Sequence, residues 1–159
     1  MPKSASLTEE FILESFLPYR LSLLSNTVSR GVSTAYRKAH GLSVTEWRVV
    51  AVLGRYPDLT ASEVAQRTAM DKVAISRAVK RLQQRRVVTR SPHRDDRRRL
   101  PLRLTPEAGV ALFKAVVPKA LACEAQLLAA LSEPEKIALD RLLVKLQAAA
   151  EALNPPTEA

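Results

Sequence analysis

The chain has 159 residues, enough for one domain with a real core and too few for two independent ones. Four glycines and an aromatic content of 4% speak against a turn-rich sandwich or barrel and for aliphatic helix-on-helix packing, and a single cysteine excludes an internal disulfide framework. The net charge of +9 is concentrated: the 32 residues from Lys72 to Arg103 carry twelve basic and two acidic side chains, and the other 127 residues sum to −1, the distribution expected of a surface for a polyanion, most often nucleic acid. The opening Met1-Pro2-Lys3, followed by Glu9, Glu10 and Glu14, lacks the basic start and apolar stretch of a secretory signal. Apolar runs such as Val49 to Leu53 and Leu127 to Leu131 are too short for a bilayer. A soluble, cytoplasmic protein without a membrane partner is expected.

In chain order, Pro18 can open a helix in its first turn, and Leu17, Leu21, Leu24, Val28, Val32 and Ala35 recur at steps of three and four residues. That helix should close at His40-Gly41, where glycine accepts a left-handed cap. Ser43-Val44-Thr45-Glu46 is a capping box opening a second helix, with Trp47, Val50 and Ala51 inward and Pro57 just beyond its end. Thr60-Ala61-Ser62-Glu63 is another box, starting a short helix to about Thr68. Asp71 can cap the next helix, from Lys72 to about Arg86. Two short helices with a three-residue turn make a helix-turn-helix.

The hydrophobic period then changes to two. Val87 to Arg90 is strand-like, and Leu100, Leu102 and Leu104 alternate with Pro101 and Arg103. Because proline cannot donate to a ladder, this second strand is expected at an edge. The charged stretch His93-Arg94-Asp95-Asp96-Arg97-Arg98-Arg99 between the strands reads as the tip of a wing. Thr105-Pro106-Glu107 restarts a helix expected to reach about Leu131, with a bend at Pro118. Ser132-Glu133-Pro134-Glu135 opens a last helix along Ile137, Leu142, Leu143 and Leu146, followed by a frayed tail at Asn154-Pro155-Pro156. The fold class is mainly α with a small β-wing. A single domain spans 1–159, with a winged helix-turn-helix at 43–105 (helix-turn-helix about 60–86, wing about 87–105).

Around the helix that starts at Lys72, taken at ~100° per residue, Ile75, Ala78, Val79 and Leu82 share one side. Lys72, Val73, Ser76, Arg77, Lys80 and Gln84 occupy the opposite arc. A solvated amphipathic helix shows the same division. The capped helix before it and the basic hairpin after it are what point to DNA, with one face packed and the other offered to base edges and phosphates. An arginine-rich hairpin tip suits the narrow, electronegative minor groove, and Asp96 there is suited to pairing with a neighbouring arginine to shape the loop.

The run Ala61 to Arg90 (ASEVAQRTAMDKVAISRAVKRLQQRRVVTR), followed by Asp96-Arg97-Arg98 and Leu102-Arg103-Leu104-Thr105, resembles the multiple antibiotic resistance regulator (MarR) family of transcription regulators, and the flanking helices match it in order and length. The resemblance implies a sequence-specific regulator of double-stranded DNA, a repressor of a palindromic operator released by a small aromatic or anionic effector. It implies DNA contacts at Lys72, Val73, Ser76, Arg77 and Lys80 in the major groove and at Arg94, Arg97 and Arg98 on the wing. Asp96 would be the structuring acid and Arg98 the minor-groove arginine. Residues 7–41 and 106–153 would interlock into a homodimer. The family's usual glycine at the end of the recognition helix is replaced by Arg86, at a cost of about 1 kcal/mol if the backbone there is left-handed.

An effector pocket between the dimer helices and the winged helix would be lined by Tyr36, Arg37, Trp47 and Arg48, with Arg20, Asn26 and Arg30 nearby. The same residues also read as solvated arginines and a core tryptophan. Cys123, in an apolar helix without cationic neighbours, reads as a small hydrophobe rather than a redox sensor. His40 and His93 are the only histidines; no spacing suggests a metal site, a cofactor or catalytic residues. The competing functions are an architectural DNA binder with little sequence preference and a winged helix used for protein contacts. Ser76 and Gln84 beside the charges favour sequence reading over the first. The concentration of charge on the expected DNA surface argues against the second.

Overall fold

The computed structural model of the protein describes residues 11–90 and 100–153. The expected wing-tip residues His93, Arg94, Asp96, Arg97 and Arg98 and the tail from Asn154 lie outside the described residues. A short 3-10 turn (Leu13–Ser15) precedes α1 (Leu17–His40), α2 (Val44–Arg55), α3 (Ala61–Thr68), α4 (Lys72–Gln84), β1 (Val88–Arg90), β2 (Leu102–Leu104), α5 (Ala108–Leu128) and α6 (Glu133–Leu153). Among these residues no single helix is long and apolar enough to cross a membrane.

The helix boundaries fall where the local chemistry closes them. Pro18 sits in the first turn of α1, and Gly41, at φ 61°, ends it with its N–H on the Arg37 carbonyl. Both expected capping boxes are formed, Ser43 with Glu46 on α2 and Thr60 with Glu63 on α3, so each helix starts with two of its orphan N–H groups satisfied. Asp71 Oδ1 accepts the Ala74 N–H at 2.9 Å to start α4.

The chain closes alike at the turn before α4 and at the end of α4. After α3, the Ala69 N–H reaches the Gln66 carbonyl and the Met70 N–H the Ala65 carbonyl. After α4, the Arg86 N–H reaches Gln83 and the Val87 N–H reaches Leu82. These are paired Schellman closures, and each needs a left-handed residue where glycine is the usual choice. Here Ala69 (φ 50°) and Arg86 (φ 56°) fill those places. The left-handed turn at Arg86 ends α4 at Gln84, two residues short of the expected boundary.

The described residues up to Ala120 form one compact unit, and those from Leu121 a second. In the first, Tyr36, Leu42, Val49, Val50, Leu53, Val64, Ile75, Val79, Leu82, Val88, Leu102 and Val116 fill the core. The strands pair antiparallel with Val88 opposite Leu104 and Arg90 opposite Leu102. β2 is an edge of the two-stranded sheet, as the proline argument expects, and on its other side Leu59 adds a single isolated bridge at Leu102. The Leu102 N–H donates to the Leu59 carbonyl at 2.8 Å, and the Asp58 N–H donates to the Leu102 carbonyl at 3.1 Å. Successive N–H groups of a strand point to opposite sides, so the donor missing at Pro101 is not one this bridge uses.

Thr105 also departs from expectation. It does not open the helix with Pro106 as its first residue. Its N–H extends the sheet by bonding the Val87 carbonyl, and its hydroxyl donates to the Arg86 carbonyl at 2.7 Å and accepts the Gly109 N–H at 2.9 Å. Residues 106–107 are consumed in the turn and α5 begins at Ala108. Gly109 makes this close approach possible, since a Cβ there would lie 2.3 Å from the Val87 carbonyl oxygen.

In the second unit, α5 ends at Leu128 rather than Leu131, because a Leu131 N–H to Leu128 carbonyl bond tightens the chain into a turn. Ser132 then starts α6 by donating both its N–H and its hydroxyl to Glu135 Oε2, at 2.8 and 2.7 Å. Those bonds hold the Glu135 carboxyl below the usual carboxylate range. Along α6, Leu139, Leu142, Leu143, Leu146 and Leu153 recur at helical spacing, and all are exposed.

Candidate nucleic-acid interface

The α3–turn–α4 segment places its side chains by two separate divisions. Val64 and Ala65 of α3 and Ile75, Ala78, Val79 and Leu82 of α4 are buried, as the 3.6-residue period requires. On the opposite side of α4, Lys72, Val73, Ser76, Arg77 and Lys80 are exposed. These five residues, with Gln83 and with Arg90 at the end of β1, line one open groove. The groove therefore gathers four cations, a hydroxyl, an amide and one apolar side chain. Among the described residues no carboxylate bonds to any of its cations. Gln84, expected on this arc, is exposed without lining the groove. Gln83 and Arg90 were not singled out as site residues by sequence, because their convergence depends on how β1 leaves the Arg86 turn.

The remaining cations of α4 are differently employed. Arg81 Nε donates to Glu46 Oε1 at 2.9 Å, and Arg85 donates to the His40 and Gly41 carbonyls at 2.7 and 3.4 Å. Arg103 on β2 makes a two-pronged ion pair with Asp58, its Nη2 lying 2.7 Å from Oδ2. The basic cluster counted along the sequence is thus not all surface for a polyanion: Arg81, Arg85 and Arg103 hold the fold together, while Lys72, Arg77, Lys80 and Arg90 have no carboxylate partner among the described residues and face the open groove.

Of the expected effector-pocket residues, Tyr36 is 1% exposed and its ring lies 5.6 Å from that of Trp47, which in turn stacks on Phe113 at 6.5 Å. Burial pushes the Tyr36 phenol up, against the opposing pull of Arg48 and Arg37. Arg48 Nη2 donates to Ser29 Oγ at 3.2 Å, tying α2 to α1, and Arg37 is exposed. The tyrosine and tryptophan thus belong to the packed aromatic part of the core, with the two guanidinium groups around them. Cys123 is a free, half-buried thiol.

Known proteins share this sequence pattern and this fold. A sequence model of the MarR family matches residues 40–99, which takes in α2 to β1. The HTH-type transcriptional repressor MdtR of Bacillus subtilis is 31% identical over 111 residues, covering 70% of this chain and 71% of that protein. Among solved structures, a MarR/EmrR family regulator from Acinetobacter sp. ADP1 superposes with a TM-score of 0.81 at 30% identity, over 89% of this chain and 99% of that one. A MarR family protein from Mycobacterium tuberculosis, crystallised with salicylic acid, matches with a TM-score of 0.67 at 28% identity, over 83% and 96% of the two chains.

Proposed function

The chain belongs to the MarR family of winged-helix transcription regulators, and we propose that it acts as a homodimeric repressor, binding a palindromic DNA operator through α4 and the wing. The observation that carries this reading is the groove along α4, where Lys72, Ser76, Arg77, Lys80, Gln83 and Arg90 converge and no carboxylate is among the described lining residues. Phosphate contacts from the lysines and Arg90 would set position, and Ser76, Arg77 and Gln83 would offer donors to base edges. Residues 43–105 form the DNA-reading part in this account. Arg94, Arg97 and Arg98 are assigned to the wing contact and Asp96 to its shape on sequence alone. The protein has no catalytic role here and acts in the cytoplasm, where its DNA is.

Residues 7–41 and 106–153 serve dimerisation. Support comes from the apolar side chains a single chain leaves uncovered, Phe11, Ile12, Phe16, Leu17 and Leu24 in the first unit and Ile137, Leu142 and Leu143 in the second. Solvent-facing rows of that extent mark an interface. A small aromatic acid is the proposed effector, in keeping with the salicylic acid bound by the Mycobacterium tuberculosis relative. Arg37 or Arg48 would meet its carboxylate, with the packed Tyr36–Trp47 pair of the core behind them.

Selection of bound fragments from a library of the source genome tests the function directly. A shared palindrome among the recovered fragments is the expected result. Recovery of fragments without a common sequence would replace this account with that of an architectural DNA binder.

A further inference from the structure

Val73 is 55% exposed, and between Tyr56 and Leu100 it is the one large apolar side chain that stands exposed among the described residues. It has no share in the core. At ~100° per residue it lies about 160° around the helix from Ile75, and Ile75, Ala78, Val79 and Leu82 already fill the packed face. Local propensity gives no reason for it either, because a β-branched residue in an exposed first turn is a poorer helix former than most polar alternatives. Its neighbours in the groove, Lys72, Ser76, Arg77, Lys80, Gln83 and Arg90, are all polar.

A side chain with no donor or acceptor cannot read the hydrogen-bonding pattern of a base edge. The one apolar group that a base pair presents in the major groove is the C5-methyl of thymine. The restricted χ1 of valine in a helix holds its two methyl groups in one orientation, so they present a small fixed apolar surface. Ser76 and Arg77 lie three and four residues further on and are therefore immediate neighbours of Val73 on the helix surface, at about 5–6 Å between Cβ atoms. That spacing corresponds to one or two base-pair steps at ~3.4 Å each.

We propose that Val73 is a specificity-determining residue that packs against the C5-methyl of one thymine in each operator half-site, within one or two steps of the bases met by Ser76 and Arg77. This rests on the reading of α4 as the recognition helix. Uracil in place of that thymine removes the methyl and leaves every hydrogen-bonding group intact. Conversely, cytosine methylated at C5 restores a methyl at the same place on a different base.

The test uses the full-length protein and the operator recovered by fragment selection, with each thymine replaced singly by uracil. Wild-type protein should lose roughly fourfold in affinity at one thymine per half-site, the scale of burying a single methyl group, and more than tenfold when both half-sites are changed. Val73→Ala should bind the unmodified operator more weakly and become indifferent to that uracil, so that the two changes are not additive. Val73 is exposed, and a thermal melt matching wild type establishes that the variant is folded. The proposal is overturned if no single uracil weakens wild-type binding, or if Val73→Ala still distinguishes thymine from uracil as wild type does. Should Ser76→Ala and Arg77→Ala leave the preference for operator over random DNA unchanged, the reading of α4 falls and takes this proposal with it. A preserved effect of those variants together with a Val73→Ala that keeps the thymine preference removes only the role of Val73.

Discussion

Glu46 and Arg81 are 35 positions apart in sequence, and the Arg81 Nε donates to Glu46 Oε1 at 2.9 Å. The other carboxylate oxygen of Glu46 accepts the Ser43 N–H at 2.7 Å, so one side chain both caps α2 and holds α4. Its side chain is 6% exposed. Burial alone would raise its carboxyl, but the bonds from the Ser43 backbone, the Arg81 guanidinium and the Ser43 hydroxyl outweigh it and hold the group below the usual carboxylate range. One turn on, Arg85 grips the last carbonyls around the end of α1. The back of α4 is thereby fixed to the corner between α1 and α2, and its front is left to Arg77 and Lys80.

Replacing Glu46 with glutamine should lower stability at neutral pH by about 1–3 kcal/mol, the cost of weakening a buried, charge-assisted bond. A carboxyl held low in the folded state contributes its stability above the unfolded value, near ~4.3, and loses it as pH falls through the folded one. The gap between wild type and Glu46→Gln in urea midpoint should therefore be wide at neutral pH and narrow as the pH drops below that range. A gap independent of pH would show that the ionised carboxylate is not what holds α4.

Ala69→Gly and Arg86→Gly should each stabilise the fold by about 1 kcal/mol, because both residues sit at left-handed positions where a Cβ is unfavourable. The sites lie at opposite ends of α4, so the gains should add in the double variant. Chemical denaturation of the three variants checks both statements.

Gly109→Ala should act in the other direction. The added methyl would meet the Val87 carbonyl oxygen and, at 2.9 Å, the Leu104 Cβ, so either the start of α5 or the strand pair must move. A loss of about 1–3 kcal/mol is expected, measured as a lowered melting temperature. DNA binding should weaken with it, since the same strands carry the wing.

The proposed homodimer should sediment as a dimer at micromolar concentration, without a folded monomer. Leu143→Glu, on the exposed row of α6, should drive it apart or abolish folding, because it would bury an unpaired charge in the proposed interface. A wild-type protein that sediments as a folded monomer at that concentration would remove the dimer from this account.

What could be read from the sequence was local chemistry. The bonds of the Ser43–Glu46 and Thr60–Glu63 boxes span three residues, and the inward row Ile75, Ala78, Val79, Leu82 follows from helical period alone. The groove residues Lys72, Val73, Ser76, Arg77 and Lys80 were legible for the same reason, being the complement of that row. The pairings set by tertiary packing were not legible. Nothing near Arg81 or Arg85 in sequence marks them as structural, and they were counted with the DNA-facing charge. The Leu59 bridge to Leu102 and the engagement of Thr105 with Arg86 both join segments that only the fold brings together. Gln83 and Gln84 both lie within α4, and it is Gln83 that shares the groove with Arg90, which β1 brings there beyond a left-handed turn at Arg86 that a sequence can suggest only as a condition.

The central claim, that α4 reads DNA sequence, is tested most directly by titrating Arg77→Ala against operator, single-mismatch operators and random duplex at several salt concentrations. The account predicts a narrowed gap between operator and random DNA, with the loss of about 1–3 kcal/mol in discrimination confined to particular base pairs. If Arg77 met only phosphate, the variant would lose affinity uniformly and flatten the salt dependence by about one unit of slope per contact, and Ser76→Ala and Lys72→Ala belong in the same series for that reason. Equal weakening of operator and random DNA by all three variants would contradict the account.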